Sequence, residues 1–254
     1  MTALRYTPAP GPAPAARMLA AQTRMELRLL LRNGEQVGLT LVIPLLLEVF
    51  FNLPLLYSID GRRIDFVVPS VLALAVMSAA FTGLAIGTGF ERKYGVLKRL
   101  GATALPRWVL LAGKTSAVLL LEVLQVALIC TLGFALGWQP HGNPAWAALL
   151  LVIGTVAFGG LGLLVAGTMR AEVTLAAANL IWLVLLFAGG IAIPLSKYPR
   201  AAEDVLQYLP SAALSDGLHR VLQDGAGIPV RQLLTLLVWA VLALPAAARW
   251  FRWE

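Results

Sequence analysis

The chain has 254 residues, of which 59% are hydrophobic and only 13% are charged, and its mean hydropathy is +0.80. An ordinary soluble domain carries about 25% charged and roughly 45–50% apolar residues, so this composition excludes a soluble globular protein and predicts an integral membrane protein in contact with the lipid bilayer. The net charge of +7 does not indicate nucleic acid as a partner, because the basic residues cluster beside apolar runs instead of alternating with exposed aromatic residues.

The N-terminal region is predicted to contain a tail and a surface helix. Residues 1–14 are rich in proline and small residues, and we expect a disordered cytoplasmic tail there, not a signal peptide. Residues 15–33 have the pattern of a basic amphipathic helix, with Arg24, Arg28 and Arg32 on one face. We expect this helix to lie on the membrane surface with its arginines near anionic headgroups; the alternative is a solvated cytosolic helix.

Six apolar stretches follow, each long enough to cross about 30 Å of hydrocarbon as a helix. They lie near residues 36–57, 66–90, 115–137, 145–169, 173–196 and 232–248. Most of the 20 Lys and Arg residues fall on the N-terminal side of the membrane, so the positive-inside rule places both termini in the cytoplasm. The predicted fold is an all-α membrane protein with about six transmembrane helices, and residues 15–254 form a single transmembrane domain.

The segment between the second and third stretches has features that a simple connection does not need. Residues 90–108 contain an apolar stripe of Tyr94, Leu97 and Leu100, and basic residues occupy the other faces. A glycine and a proline that follow the stripe can end a helix. The pattern predicts a short amphipathic cytoplasmic helix that docks into the groove of a partner protein. The alternative is a basic anchor that only sets the topology.

The segment from Lys197 to Arg231, predicted to be external, also has an apolar pattern at helical spacing, interrupted at Pro210. We expect a re-entrant helical hairpin before the last span, since irregular backbone at membrane depth is tolerated where protein or water satisfies it. The alternative is a hairpin that lies on the membrane surface.

The residues from Glu91 to Leu100 resemble the signature E-R-x-x-G-T-L-x-x-L of type-2 ABC exporter permeases, and the closest subgroup is the daunorubicin-resistance-like permeases of multidrug exporters. The family's later P and G-K positions match Pro106 and the pair Gly113-Lys114. A late external segment of the family, L-P followed by G-L-x-R, matches the residues between Leu209 and Arg220. Val96 stands where the family usually has threonine.

The resemblance implies a transport subunit that has no catalytic site and binds no cofactor or metal itself. Two copies of a separate ATPase subunit, which hold ATP and Mg, would power it, and a second permease, identical or homologous, would complete the pathway. The substrate would be an amphipathic, drug-like or lipid-like compound exported across the bacterial plasma (inner) membrane. The residues implied to couple transport to the ATPase are Glu91, Arg92, Tyr94, Gly95, Leu97, Lys98 and Leu100.

Three residues within the spans are candidates for the substrate path: Glu48, Glu122 and Phe81. A carboxylate at membrane depth costs several kcal/mol, so each is expected to face the bundle interior, a partner or water, or to be protonated. The alternative for both acids is a structural hydrogen bond to a neighbouring helix.

Other function classes stay open as alternatives: a secondary transporter or channel without an ATPase, and a membrane enzyme or assembly factor. The sequence contains no G-x-x-x-x-G-K-[ST] nucleotide-binding loop. Its two histidines and single cysteine do not have the spacing of a zinc site.

Overall fold

The computed structural model describes residues 13–53, 62–103, 105–193 and 195–251, except for the side chains of Glu35, Gln36, Leu39 and Ser196. Most of the predicted N-terminal tail, and residues 54–57 of the first predicted span, lie outside the described residues. Within the described ranges all regular secondary structure is helical. The predicted all-α membrane fold is therefore confirmed.

Eleven α-helices, one π-helical segment and one short 3₁₀ turn are present in the described ranges. In chain order they are α1 Ala15–Arg32, α2 Gly34–Asn52, α3 Arg63–Val76, the π segment Met77–Gly83, α4 Leu84–Lys93, α5 Val96–Gly101, α6 Arg107–Ala135, α7 Pro144–Thr168, α8 Ala171–Ala188, the 3₁₀ turn Leu195–Lys197, α9 Arg200–Leu206, α10 Pro210–Leu222 and α11 Val230–Trp250.

Five helices of the described ranges are long and apolar enough to cross a membrane, namely Arg63–Lys93 (α3, the π segment and α4 together), α6, α7, α8 and α11. They coincide with the second to sixth predicted stretches. The first predicted stretch coincides with α2, whose apolar part, Thr40–Asn52, is shorter. A sixth span therefore remains a prediction, because the outer end of that stretch is outside the described residues.

Two helix ends differ from the predicted span ends. The helix α6 begins at Arg107 and not near residue 115. Residues 107–114 are helical, and the extended backbone at Pro106 marks the start of the helix. The helix α8 ends at Ala188 and not near residue 196, since the next turn contains Gly190 with a positive φ of 70°. A break between the fourth and fifth stretches does occur at Arg170, which has extended backbone between α7 and α8.

The centre of the bundle is the long helix Arg63–Lys93, which packs against α2, α6, α7, α8 and α10. Glycines on α7 allow two of its neighbours to approach closely. A Cβ atom at Gly160 would lie 3.0 Å from the Cβ of Ala243 in α11, and one at Gly162 would lie 2.5 Å from the carbonyl oxygen of Phe81 in the π segment. Small residues thus set the spacing of the central helices.

The predicted external hairpin is formed by α9 and α10. No residue of α9 is buried, whereas α10 is buried along most of its length between α3, α7 and α11. Pro210 lies in the first turn of α10, where its missing N–H costs no helical hydrogen bond. A short helix enclosed by spans is compatible with the predicted re-entrant hairpin, and its depth in the membrane remains a prediction.

Candidate coupling site and neighbouring cavity

The segment predicted as one amphipathic helix from Glu91 to Leu100 is two helices joined by a turn. Glu91 is in the last turn of α4, and the chain turns at Tyr94 and Gly95 before α5 begins at Val96. Gly95 has a φ of 71°, which a residue with a Cβ rarely adopts, so the family's glycine position has a backbone role here. The prediction of a single helix was therefore wrong, while a short separate helix, α5, is present.

The predicted apolar stripe does not form one surface. Leu97 is fully buried in the hydrophobic core, and Leu100 is partly buried against that core. Tyr94 is 68% exposed and Val96 is 38% exposed. Leu97 therefore anchors α5 to its own chain and is not available to a partner. The exposed surface, called the α5 face below, consists of Tyr94, Val96, Lys98 and Arg99.

A buried lysine joins three helices at this end of the bundle. Lys114 of α6 is only 3% exposed, and its Nζ lies 3.0 Å from Glu26 Oε2 of α1 and 2.6 Å from Glu91 Oε2 of α4. Gln22 Nε2 donates a hydrogen bond of 2.7 Å to the other oxygen of Glu26. These four residues are called the Lys114 cluster. One cation therefore connects α1, α6 and the end of α4.

The electrostatics of the Lys114 cluster are set by burial. Two carboxylates face one ammonium group, so the cluster carries a net negative charge when both acids are ionised. Burial is the largest cause that raises the pKa of Glu26 above its ordinary value of 4.5, and the negative charge of Glu91 adds to it, whereas Lys114 opposes it. The packing is close, because a Cβ at Gly113 would lie 2.5 Å from Gln22 Cγ.

The end of α4 is also attached to the corner between α7 and α8. Arg92 donates a hydrogen bond to the carbonyl oxygen of Met169, and Lys93 forms an ion pair with Glu172. The Lys93–Glu172 pair is solvent-exposed and contributes little to stability. Together with the Lys114 cluster, these contacts place the α5 face on a base built from α1, α4, α6 and α8.

A cavity of about 310 Å³ lies beside the middle of the long helix Arg63–Lys93. Its walls are apolar except for Thr40, Ser78 and the indole N–H of Trp182, which donates a 3.0 Å hydrogen bond to Ser78 Oγ. The lining residues are Leu30, Thr40, Ile43, Pro44, Leu47, Leu74, Ser78, Ala79, Gly83, Leu84, Val118, Leu121 and Trp182. A cavity of this size and polarity is suited to an apolar group with few polar atoms.

The three predicted substrate-path residues do not line this cavity. Phe81 is buried in the core on another side of the π segment. Glu122 accepts a hydrogen bond from the hydroxyl of Thr155 in α7, which is the structural alternative considered from the sequence. Glu48 is fully buried next to Gly133 of α6, and neither of its carboxylate oxygens has a hydrogen-bond partner among the described residues.

Sequence reasoning missed both the Lys114 cluster and the cavity. Lys114 was read as part of a motif and as a charge on the cytoplasmic side. The sequence does contain an indication of the Lys114 cluster. Glu26 is an isolated acid in the arginine-rich helix α1, and it needs a cation if it is buried. The cavity depends on how seven elements pack and has no signal in the sequence.

Comparison with known proteins agrees with this architecture. The family model described as ABC-2 family transporter protein matches residues 53–249, which includes every element from α3 to α10 and most of α11. YvfS of Bacillus subtilis (strain 168), named as a transport permease, is 23% identical over 230 residues, which are 89% of this chain and 93% of YvfS.

A second relative is the linearmycin resistance permease protein LnrN of Bacillus subtilis (strain 168). It is 27% identical over 149 residues, which are 57% of this chain but only 38% of LnrN. The family match covers well over half of the chain and includes the segment with α4, α5 and Lys114. The chain is therefore a multi-pass membrane protein that belongs to the ABC-2 family of transporter proteins.

Proposed function

We propose that this chain is the transmembrane permease subunit of an ATP-driven ABC exporter and that the α5 face binds a separate ATP-binding subunit. The observation that carries the proposal is the α5 face itself. It presents an exposed tyrosine in the turn before α5, and an exposed valine beside basic residues on α5; Leu97 anchors α5 to the core, and the Lys114 cluster holds the end of α4. Apolar anchors with a charged rim are suited to a groove on a partner.

The contacts behind the α5 face give a route for movement. A push on α5 reaches α4 directly through the turn at Gly95, and it reaches α1 and α6 through Glu91 and Lys114. Because Lys114 is buried and holds both acids, separating these helices would leave charges without partners, which is costly. The ATPase would therefore move α1, α4 and α6 together and reorient the spans.

The cavity supports an apolar or amphipathic substrate. Its apolar walls and single Trp182–Ser78 hydrogen bond would hold an acyl chain or a ring system of a drug-like or lipid-like compound. The name of LnrN, a linearmycin resistance permease, supports this class by similarity. The buried acids Glu48 and Glu122 would then act from behind the cavity wall, since neither lines it.

We propose the rest of the assembly by analogy with other ABC exporters. The complete transporter would contain two copies of the ATPase subunit, with ATP and Mg bound there, and a second permease that is identical or homologous to this chain. It would lie in the bacterial plasma (inner) membrane with both permease termini in the cytoplasm, and it would move its substrate outward.

Co-purification tests the proposal. The tagged chain is expressed together with the products of its neighbouring genes, as wild type, as Tyr94→Ala and as Tyr208→Ala, and a co-purifying ATPase is looked for. Tyr208 is a matched control, because it is 57% exposed and lies between α9 and α10. We expect wild type and Tyr208→Ala to retain the ATPase and Tyr94→Ala to lose most of it, with equal melting temperatures.

Two other results would contradict the proposal. If the wild-type chain never retains an ATPase and nevertheless transports a compound when an ion gradient is imposed, the chain is a secondary transporter. If Tyr94→Ala and Tyr208→Ala retain the ATPase equally, the α5 face is not the docking surface.

A further inference from the structure

The second span contains an irregularity at the level of the cavity. Between α3 and α4, the seven residues Met77–Gly83 form a π helix, with backbone hydrogen bonds from residue i to i+5. A π turn holds one more residue than an α turn and is less stable in isolation, so such segments persist where the surroundings favour them and often occur at functional sites. No proline lies within the segment, so proline is not its cause.

Two sides of the π segment have different surroundings. On one side Phe81 is buried in the core, and its carbonyl oxygen lies so close to Gly162 that a Cβ there would be 2.5 Å away. On the other side Ser78, Ala79 and Gly83 line the cavity. The π segment therefore packs against α7 on one side and lines the cavity on the other.

The cavity wall on either side of the π segment belongs to one continuous helix. Leu74 of α3 lines the cavity before the segment, and Leu84 of α4 lines it after the segment. The helix α4 then continues to Glu91 of the Lys114 cluster and to the turn before α5. The π segment thus lies in the second span between the part of the helix before the cavity, α3, and the part that leads to α5, α4.

The hydrogen bond from Trp182 to Ser78 connects this point to α8. The indole Nε1 of Trp182 donates to Ser78 Oγ at 3.0 Å, and both residues line the cavity. The bond holds the second residue of the π segment against α8. Ser78 is in this sense a positioning residue for the indole of Trp182.

We propose that the π segment Met77–Gly83 is the joint at which movement of the α5 end changes the cavity, and that the Ser78–Trp182 hydrogen bond holds the joint in the form described here. This inference rests on the proposed function. A partial shift of the π turn toward α-helical hydrogen bonds would turn α4 relative to α3 by less than the roughly 100° and 1.5 Å of a complete conversion, so that Glu91 keeps its contact with Lys114 while Leu84 changes position. Leu84 would then leave the cavity wall while Leu74 would stay.

Thiol labelling of the full complex tests this difference. In a Cys130→Ala background, Leu74→Cys and Leu84→Cys are matched, because the two leucines are 6% and 7% exposed and line the same cavity. Each variant is reconstituted with its ATPase and labelled with methyl methanethiosulfonate, without nucleotide and after vanadate trapping. We expect trapping to change the labelling rate of Leu84→Cys several-fold and to leave that of Leu74→Cys unchanged.

Equal changes of the labelling rate at both positions, or no change at either position in a complex that hydrolyses ATP, would contradict the role of the π segment as a joint. Failure of the proposed function has a different signature, since no ATPase would then bind to the wild-type chain.

A second variant tests the hydrogen bond. Trp182→Phe removes the indole donor and keeps an aromatic ring, and Trp108→Phe is the control at an exposed position of α6. In the Leu84→Cys variant without nucleotide, we expect Trp182→Phe to move the methyl methanethiosulfonate labelling rate toward that of the vanadate-trapped complex, while the melting temperature and ATPase binding stay at wild-type values. A nucleotide-free labelling rate equal to that with Trp108→Phe would contradict the role of the Ser78–Trp182 hydrogen bond.

Discussion

Replacement of Lys114 by methionine is the change whose effect the structure defines best. Methionine keeps the length and apolar stem of the side chain but removes the charge between Glu26 and Glu91. At an effective dielectric constant of about 20, attraction across 3.0 Å and 2.6 Å is about 5–6 kcal/mol for each pair. Desolvation of the charges offsets much of this, so loss of the one cation is expected to destabilise the fold by about 3–5 kcal/mol.

This magnitude can be measured as thermal melting of the purified full chain in detergent. For a chain of this size, 1 kcal/mol corresponds to roughly 2–4 °C, so Lys114→Met is expected to melt about 10 °C below wild type. Lys197→Met is the control, because Lys197 is exposed near α9 and its loss changes stability by about 0.5 kcal/mol or less. A melting temperature of Lys114→Met within about 2 °C of the control would refute the reasoning.

Three further predictions concern stability in the same assay. Burial raises the pKa of Glu26 above 4.5, so the folded state binds more protons than the unfolded state just above pH 4.5, and stability falls as the pH rises through this window. Glu26→Gln is expected to flatten this fall of stability with pH, and an unchanged pH dependence would contradict the prediction. Leu97→Ala is expected to cost about 2–5 kcal/mol because Leu97 is fully buried, whereas Val96→Ala should cost less than about 0.5 kcal/mol; equal losses would show that Leu97 is not an internal anchor. Gly162→Ala is expected to destabilise by about 1–3 kcal/mol because its Cβ would overlap the Phe81 carbonyl, while Gly87→Ala, with nothing within 4 Å, should not; the reverse order would exclude close packing of the π segment on α7.

The sequence predicted the parts of the fold that depend on local composition. Long apolar runs predicted the all-α membrane class and the position of five spans, and the gap between the stretches 145–169 and 173–196 contains the break between α7 and α8. The start of α6 was missed because Lys114 looked like a charge outside the hydrocarbon. Its burial is possible because Glu26 and Glu91, 88 and 23 residues away in the sequence, supply the counter-charges.

The details of the coupling site depended on contacts that no local pattern contains. The spacing of Tyr94, Leu97 and Leu100 predicted a helix in this segment, but it showed neither the turn at Gly95 nor which residues face the chain's own core. Gly95 divides the segment, and the core then takes Leu97. The π segment likewise has no periodic signal in the sequence, and neither does the close approach of Phe81 to Gly162.

The most direct test of the account is photo-crosslinking from the α5 face. A benzophenone amino acid is incorporated at Tyr94, or at the exposed control Tyr208, in the complete transporter in membranes. We expect illumination to crosslink the Tyr94 variant to the ATP-binding subunit, and we expect no such product from the Tyr208 variant. Absence of the product from the Tyr94 variant, or the same product from both positions, would contradict the assignment of the α5 face as the docking surface for the ATPase.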